Sequence, residues 1–296
     1  MKIVCICEDD EIVNFIRAGL SPAHEVPLVI VPEFGTGKAR KRRKLSIGEL
    51  ASKAFSKLFF TVFTRCASKK VLVRLIENYE AADANKAQPD SNPKVVRIPS
   101  RKIGSQSTAQ LIAEYEPDVM FVCGAPILKQ ELFDLPKYGS VNFHFGYSPK
   151  YRGHHGLLWP FLQSDYENLG GTFLKIDAGV DTGTPLGFVF PEVSGSDTIE
   201  TIEAKVSKMA RDCISQVMSS VETDGELEFK NSPQKYSIKY LDYKPLVHLR
   251  YHLKLIKHRL FAGKAELRSQ QVVLTTSSAT ADHKPHVFAG VTTNKS

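Results

Sequence analysis

The sequence predicts an α/β fold in which helices flank a mostly parallel sheet. Short apolar runs recur along the chain, and continuous apolar runs are typical of strands that are buried on both faces. Amphipathic stretches lie between these runs, and alternation of strands with helices indicates parallel strands joined by crossovers. The length of 296 residues, with 42% hydrophobic and 24% charged residues, suffices for one core and a small appendage.

The predicted strands are short and apolar. In chain order they cover residues 3–7, 26–31, 95–98, 118–123, 140–145, 171–176 and 185–191. The predicted helices have apolar residues at helical spacing, and they cover residues 108–115, 130–135 and 198–221. Ser107 or Thr108 is suited to cap the first helix, because a hydroxyl accepts hydrogen bonds from first-turn amides. The long last helix closes the domain.

The chain divides into a main domain over residues 1–225, a helical extension over residues 226–268 and a flexible tail over residues 269–296. An insert at residues 32–94 is longer than an ordinary connection. It contains a basic run, residues 36–44, and a helical stretch, residues 47–79, that is rich in Leu, Phe and Val. We interpret the basic run as a solvated loop; the alternatives are contact with a phosphate-bearing substrate, a nucleic acid or an anionic membrane surface.

The extension contains a basic amphipathic stretch over residues 240–264. Its apolar residues at helical spacing are Leu246, Leu249, Leu253, Ile256 and Leu260. The basic residues between them are Arg250, Lys254, Lys257, His258 and Arg259, so the predicted basic helix over residues 246–260 has one apolar and one basic face. Packing against the main domain or a second subunit is the favoured interpretation, so a homodimer remains open. A peripheral membrane contact is the alternative. His248 and His252 lack neighbouring carboxylates, so no metal site is expected.

The cysteines indicate a reducing compartment. They are Cys5, Cys7, Cys66, Cys123 and Cys213, and they form neither a Cys-x-x-Cys motif nor a metal-like pairing with His. No signal peptide is expected, because only a short apolar strand follows Lys2 and acidic residues come next. No apolar run approaches the length of a membrane span. The expected location is therefore cytoplasmic.

A polar motif stands at the end of the fifth predicted strand. Asn142 and His144 are two residues apart, so both side chains project from the same side of a strand toward one point. Asp181 lies in a turn between Gly179 and Gly183, where glycine permits positive φ and a close approach to a ligand. The sequence therefore predicts a site made of an amide, an imidazole and a carboxylate.

These residue types suit a reaction in which negative charge develops on an oxygen. Asn142 donates a hydrogen bond, and His144 donates when it is protonated. A nearby carboxylate would favour the charged imidazole and offer a base for the proton of an attacking amine. Asp181 is the favoured carboxylate, and Asp177 is its nearest rival. The chain has no Gly-x-Ser-x-Gly elbow and no Cys beside a His motif, so a covalent intermediate is not expected.

Residues 117–221 resemble the formyltransferase family that uses 10-formyltetrahydrofolate, which includes glycinamide ribonucleotide, methionyl-tRNA and amino-sugar formyltransferases. The family pattern is Asn-x-His, then a Pro-containing loop with a basic or aromatic stretch and Gly, then an Asp before a Gly. The matching positions are Asn142, His144, Pro149, Tyr151, Arg152, Gly153 and Asp181.

The resemblance implies a Rossmann-like formyltransferase sheet and a one-carbon transferase whose catalytic domain is residues 1–225. It implies that Asn142 and His144 polarise the formyl carbonyl and hold its oxyanion. It also implies that Asp181 keeps His144 charged and assists proton removal through water.

The resemblance also implies which residues hold the folate, largely through backbone contacts. They follow the fourth predicted strand and precede Asp181: Val122, Cys123, Gly124, Ala125, Ile127, Leu128, Ile176, Asp177, Gly179 and Val180. Lys150 and Arg152 lie beside the motif strand, where cations could hold an acceptor phosphate or the glutamate tail of the folate. 10-Formyltetrahydrofolate is thus the expected formyl donor, and no metal is expected.

Two departures from the family pattern bear on activity and substrate. The family often has Ser-Leu-Leu-Pro where this chain has residues 146–149, Gly-Tyr-Ser-Pro, which changes the wall beside the formyl group. The first strand runs into acidic residues 9–11, where the purine enzyme has a glycine-rich phosphate loop. Acidic side chains repel phosphate, so glycinamide ribonucleotide is not the expected acceptor.

The expected acceptor is a small-molecule primary amine, with a nucleotide-linked amino sugar as the preferred class. Transfer RNA is an alternative, because methionyl-tRNA formyltransferases also place a basic loop after the second strand. The tail is too short and too helical for the β-barrel domain that those enzymes carry. A formyltetrahydrofolate hydrolase and a non-catalytic RNA-binding module are the remaining alternatives.

Overall fold

The structure, a computed structural model, describes residues 1–8, 19–20, 24–34, 93–148, 150–222, 236–238, 245–261 and 266–274. The predictions for the basic run 36–44, the helical stretch 47–79 and the acidic residues 9–11 lie outside these residues. Those for Cys66, Pro149 and most of the tail lie outside them too.

The described strands are β1 Lys2–Cys7, β2 Glu25–Glu33, β3 Lys94–Pro99, β4 Val119–Cys123, β5 Ser140–His144, β6 Tyr151–Gly153, β7 Gly171–Lys175, β8 Pro185–Phe190, β9 Val193–Ser194, β10 Tyr236–Ile238, β11 Glu266–Arg268 and β12 Gln271–Leu274. Eight of them form one sheet in the order β12-β8-β7-β5-β4-β1-β2-β3. Strands β3, β2, β1, β4 and β5 are parallel neighbours, whereas β5, β7, β8 and β12 pair antiparallel. The predicted α/β class with a mostly parallel sheet is confirmed.

The strand order positions the crevice. Successive strands run outward from β1 to β3 on one side and from β4 to β5 on the other, so the direction reverses between β1 and β4. In sheets of this kind ligands bind beyond the carboxyl ends of the strands at the point of reversal. The predicted polar motif lies at that end of β5.

The described helices are α1 Gln106–Ala113, α2 Gln130–Phe133, α3 Leu158–Gln163, α4 Ile199–Val221 and α5 Pro245–Phe261. The predicted cap of α1 is wrong: Ser105, in extended conformation, accepts from the amide of Thr108 at 3.4 Å, so the helix begins earlier than its apolar spacing suggests. Helix α4 begins at the expected place, where Thr198 and Thr201 form a reciprocal capping box.

An apolar layer covers each face of the sheet, because alternate residues of a strand point to opposite sides. On β1, Ile3, Cys5 and Cys7 belong to one layer, whereas Val4 and Ile6 belong to the other. Helices α3, α4 and α5 cover the first layer, and α1 and α2 cover the second.

The described cysteines, Cys5, Cys7, Cys123 and Cys213, are buried and free. Burial raises the pKa of Cys123 and of Cys213 to about 12. These thiols are therefore unreactive at neutral pH.

The C-terminal extension differs from its prediction. Helix α5 falls within the predicted stretch, but the region predicted as helical also contributes β10, which pairs with β6, and β11, which pairs with β9. Strand β12 lies in the stretch predicted to be flexible, and it pairs with β8 through Gln271 and Phe190. Strands β10, β11 and β12 have three or four residues each, too few to show a period in sequence, and their partners are distant along the chain.

Helix α5 packs on the main domain. The ring of Tyr251 lies 5.8 Å from that of Phe161 on α3, and the Tyr251 hydroxyl accepts from the amide of Ile199 at 3.1 Å. Its outer face exposes Leu253, Ile256 and Leu260 by 54%, 40% and 71%. None of the described helices combines the length and the apolar character that a membrane crossing needs.

Candidate active site

The polar motif is positioned by three neighbouring strands. Asn142 pairs with Val122 of β4 on one side and with Leu174 of β7 on the other. His144 closes β5, and the chain returns through β7 into a loop that carries Asp181. The strand pairing therefore brings together two segments that lie far apart in the sequence.

The carboxylate of Asp181 is the centre of the cluster. The Nδ2 of Asn142 donates to its Oδ1 at 3.2 Å, and the backbone amide of Gly153 donates to its Oδ2 at 2.9 Å. The Nδ1 of His144 lies 3.5 Å from Oδ2. A carboxylate accepts hydrogen bonds and does not donate them, so the contact between Asn142 and Asp181 fixes the orientation of the Asn142 side-chain amide. The second Nδ2 hydrogen of Asn142 remains for another acceptor.

The second ring nitrogen of His144 is also engaged. Its Nε2 lies 2.9 Å from the carbonyl oxygen of Tyr151, which accepts only, so Nε2 carries a hydrogen. The ring therefore faces Asp181 with Nδ1, and a proton at Nδ1 would be donated to the carboxylate. His144 is only 9% exposed, so this contact is shielded from bulk water.

Glycines provide the space for the imidazole. A Cβ at Gly146 would lie 2.5 Å from Nε2 of His144 and 2.7 Å from the carbonyl oxygen of Tyr151. A Cβ at Gly156 would lie 2.3 Å from the carbonyl oxygen of Phe145. Gly146, which departs from the family pattern, thus allows the close contact between His144 and Tyr151.

The turn around Asp181 is built differently from the prediction. Positive φ falls on Asp181 itself, at 51°, and not on Gly179 or Gly183. Asp tolerates this left-handed conformation better than most residues. The two glycines are needed for close approach, because a Cβ at Gly179 would lie 1.9 Å from Oγ1 of Thr182 and one at Gly183 would lie 1.6 Å from the carbonyl oxygen of Lys175.

Asp177, the rival carboxylate, has a different environment. Its Oδ1 accepts from the amide of Gly179 at 2.9 Å and from the hydroxyl of Thr182 at 2.6 Å. These contacts lie within the loop and are solvent-exposed. Asp177 thus organises the loop backbone, whereas Asp181 contacts both Asn142 and His144.

A cleft opens beside the cluster, and Asn142 and Asp181 belong to its wall. Of the residues predicted to hold the folate, the cleft is lined by Val122, Ala125, Ile127, Leu128, Ile176, Asp177, Gly179 and Val180. Cys123 and Gly124 do not line it: Cys123 is buried in the core, and Gly124, at φ 70°, adjoins the side chain of Glu8. His144 is not part of the wall and meets the cleft through Asp181.

The cleft wall combines apolar side chains with polar groups. Ile127 and Val180 present large aliphatic side chains that are 80% and 49% exposed. Such exposure beside convergent polar groups is typical of a binding site. Residues 176, 177 and 179–183, which follow β7, also line the cleft.

The two predicted substrate cations are held by the protein. Lys150 forms an ion pair with Asp165, which also accepts from the hydroxyl of Tyr151 at 2.6 Å. Burial acts to raise the pKa of Asp165, but hydrogen bonds from Lys150, Tyr151 and Asn168 outweigh it, and the pKa lies below its usual value. The Nε of Arg152 donates to the carbonyl oxygen of Ser148 at 2.8 Å. A substrate role for both stays a prediction.

Several contributors to the cluster were not predicted from the sequence. The carbonyl of Tyr151 and the amide of Gly153 are backbone groups, which every residue type carries, so no sequence signal marks them. Ser148 is 1% exposed, and its hydroxyl donates to the carbonyl oxygen of Asp181 at 2.6 Å. A serine within an otherwise apolar loop pattern is the signal that could have identified it. In the part of the chain that the structure describes, no cluster of three or more His, Cys, Asp or Glu is arranged to hold a metal.

Curated relatives share part of the sequence. Methionyl-tRNA formyltransferase from Wolbachia sp. subsp. Drosophila simulans (strain wRi) is 28% identical over 156 residues, which are 52% of this chain and 51% of that protein. The enzyme of the same name from Francisella philomiragia subsp. philomiragia is 31% identical over 113 residues, which are 38% of this chain and 36% of that one. The chain thus spans about half, or less, of the curated relatives it matches.

Solved structures share the fold. A 4-N formyltransferase from Francisella tularensis has a TM-score of 0.53 at 15% identity, with 87% of each chain covered. A sugar N-formyltransferase from Shewanella sp. FDAARGOS_354 has a TM-score of 0.51 at 12% identity, also with 87% of each chain covered. Residues 34–218 match the protein family described as formyl transferase, a match that covers more than half of the sequence and includes the polar cluster. The chain belongs to the formyl transferase family.

Proposed function

We propose that the protein is an N-formyltransferase that moves a formyl group from 10-formyltetrahydrofolate to a primary amine. One observation carries the proposal: the Asp181 carboxylate contacts Asn142 at 3.2 Å and His144 at 3.5 Å on the wall of an open cleft. A donor, a shielded imidazole and a carboxylate beside a ligand-sized space are the groups that acyl transfer to an amine requires.

The residues of the cleft fit the proposed donor. Exposed aliphatic side chains at Ile127 and Val180 suit the faces of a pterin ring, and polar groups of the lining residues 176, 177 and 179–183 suit its polar edges. When bound, 10-formyltetrahydrofolate supplies the formyl carbon, whose bond to the donor nitrogen is replaced by a bond to the amine nitrogen as the amine proton passes to the donor.

Each residue of the cluster has a part that follows from its contacts. Asn142 donates one Nδ2 hydrogen to Asp181 and keeps the other for an oxygen in the cleft, where charge develops during acyl transfer. Asp181 accepts the proton that an attacking amine must lose, directly or through water. His144 shares that proton through Nδ1, because Nε2 is already committed to the carbonyl of Tyr151.

The preferred acceptor is a nucleotide-linked amino sugar. The carboxyl end of β1 carries Glu8, whose Oε2 lies beside Gly124, 2.8 Å from where a Cβ of that glycine would stand. A carboxylate there repels a phosphate, so the purine precursor remains a poor candidate. An acceptor whose phosphates lie away from the reacting amine avoids this conflict.

Methionyl-tRNA is the second candidate acceptor. It is favoured by the curated relatives, which are named methionyl-tRNA formyltransferases and share about 30% identity with parts of this chain. The net charge of +7 also suits a polyanionic partner. The two acceptors are separated by assay and not by the catalytic cluster, which serves any primary amine.

The proposal predicts that tetrahydrofolate is released from 10-formyltetrahydrofolate only when the correct amine is present. His144→Ala and Asp181→Asn should lower the rate by about 10²-fold or more, as is typical when charge stabilisation and proton handling are removed. Turnover would be measured with a pool of nucleotide-linked amino sugars and, separately, with methionyl-tRNA.

The rival carboxylate lies four residues from Asp181. Asp177→Asn removes a charge from the cleft wall but keeps an oxygen that can accept from Gly179, so it can alter the KM for the folate, whereas kcat at saturating folate should stay within about 3-fold of wild type. If Asp177→Asn were the inactive variant and Asp181→Asn the active one, the site assignment would be wrong. Formate release without an amine would indicate a hydrolase. RNA affinity that falls steeply with salt, without turnover, would indicate a binding module.

A further inference from the structure

We propose that Ser148 is a positioning residue that fixes the Asp181 carboxylate against His144 and Asn142. The proposal rests on the N-formyltransferase function and adds to it a residue that contacts the backbone of Asp181, and not its carboxylate. Ser148 acts on the backbone of Asp181, because its hydroxyl donates to the Asp181 carbonyl oxygen at 2.6 Å.

The backbone of Asp181 needs such a constraint. Its φ of 51° lies in the left-handed region, which L-residues adopt only at a cost in conformational energy. A change to negative φ would redirect the Cα–Cβ bond of Asp181. The carboxylate would then turn away from Asn142 and His144. The hydroxyl of Ser148 holds the carbonyl side of this residue, and the amide of Gly153 holds the carboxylate at 2.9 Å.

Ser148 is itself rigidly held. It is 1% exposed, and its amide donates to the hydroxyl of Thr172 at 3.1 Å. That hydroxyl donates in turn to the carbonyl oxygen of Gly146 at 2.6 Å, and Thr172 is fully buried on β7. The carbonyl of Ser148 accepts from Nε of Arg152. These hydrogen bonds connect Ser148 to strand β7 and fix its position. The Ser148 hydroxyl in turn holds the Asp181 loop in place through its hydrogen bond to the Asp181 carbonyl oxygen.

The test compares two buried serines of equal chemistry. Ser140 lies at the start of β5, is 2% exposed, and its hydroxyl donates to the carbonyl oxygen of Phe133 at 2.7 Å, so Ser140→Ala loses a similar bond away from the cluster. Ser148→Ala should lower kcat by about 5- to 10-fold with a nearly unchanged KM for the folate. Ser140→Ala should change kcat by less than about 2-fold, although both variants unfold at lower urea concentration.

A conservative variant separates positioning from mere stability. Ser148→Cys fills the place of the hydroxyl but donates only weakly, so it should lose as much kcat as Ser148→Ala. Full activity in Ser148→Cys would overturn the proposal.

Hydrogen exchange at the amide of Gly153 provides a readout that does not depend on turnover. The amide of Gly153 donates to the Asp181 carboxylate, so its hydrogen exchange should accelerate about 5-fold or more in Ser148→Ala and stay unchanged in Ser140→Ala. If wild type shows no transfer but Gly153 exchange responds in this way, the proposed function fails and the positioning role stands. If transfer is seen and Gly153 exchange is unaffected, the function stands and the positioning role fails.

Discussion

At the scale of single residues, the contacts of His144 require a glycine at position 146. Gly146 has ordinary φ, so its requirement is steric: a Cβ there would meet Nε2 of His144, the carbonyl oxygen of Tyr151 and Cα of Gly156 at 2.5, 2.7 and 3.0 Å. Two of these neighbours are backbone atoms, which cannot move away by changing a rotamer. A side chain at this position must therefore displace the loop or the imidazole.

Gly146→Ala should destabilise the protein by about 1–3 kcal/mol and lower turnover at least about 10-fold, because overpacking here disrupts the contact between His144 and Tyr151. Gly146→Ser, the residue that the family often has at this position, should do the same in this chain. Urea denaturation and tetrahydrofolate release measure the two effects.

Gly104→Ala is the matched control, since a Cβ there would meet only the flexible side chain of Lys129, at 3.4 Å. It should leave both quantities near wild type. If Gly146→Ala matched Gly104→Ala in stability and turnover, the steric explanation for glycine beside His144 would be incorrect.

Side-chain identities of the site could be predicted from the sequence, whereas its backbone partners could not. Asn142, His144 and Asp181 form a pattern of rare types at fixed spacing, and the structure brings all three into contact. Their roles in catalysis stay predictions. The positive φ of Asp181 was placed on the neighbouring glycines, because sequence alone shows where φ is permitted and not where a loop needs it.

At the scale of elements, the inner parallel strands β2, β1, β4 and β5 were predictable because burial on both faces makes them mostly apolar. Strand β1 differs from its prediction by one residue, at Lys2. The short strands of the extension were not predictable, because β12 exists through its pairing with β8 and has no local period. The same long-range packing holds α5 on the main domain.

The packing of α5 creates a pH-sensitive contact at His258. Its Nε2 lies 2.5 Å from the hydroxyl of Tyr166, and its Nδ1 has no hydrogen-bond partner within the described residues. Burial first, and then the charges of Lys254 and Lys257, lower the pKa of His258 below its usual value. The folded state therefore favours the neutral ring, which has no acceptor for a second proton.

This lowered pKa predicts a loss of stability in acid. The unfolded chain binds a proton at His258 near pH 6.5 but the folded chain binds it only at lower pH, so the contribution is complete above about pH 6.5 and is lost as pH falls through the folded pKa. The urea midpoint of wild type should fall more between pH 7.5 and pH 5.5 than that of His258→Gln. His24 also has a lowered pKa, caused by burial and the amino terminus, and its contribution is common to both proteins. An equal fall in both would refute the role of His258.

At the scale of the whole molecule, the cleft lies between two segments that are far apart in the sequence. The residues after β4 form one wall, and the loop between β7 and β8 forms another, so a ligand that contacts both adds a connection that the unfolded chain lacks. Binding to the folded state alone stabilises it by about 2.7 kcal/mol at a ligand concentration of 100 Kd. For a chain of 296 residues, an unfolding entropy of about 2.1 cal/mol/K per residue converts this into a rise in Tm of roughly 4 °C.

Tetrahydrofolate should therefore raise Tm, and a charge placed on the cleft wall should abolish the rise. Ile127 is 80% exposed, so Ile127→Asp should fold normally while it removes apolar surface from the wall. Leu260 on α5 is 71% exposed and distant in sequence from the cleft residues, so Leu260→Asp provides the same chemical change as a control that keeps the rise. Differential scanning calorimetry with and without tetrahydrofolate measures both. A full rise in Ile127→Asp would place the folate elsewhere on the molecule, whereas a loss in both variants would mean that the shift reports surface charge and not occupation of the cleft.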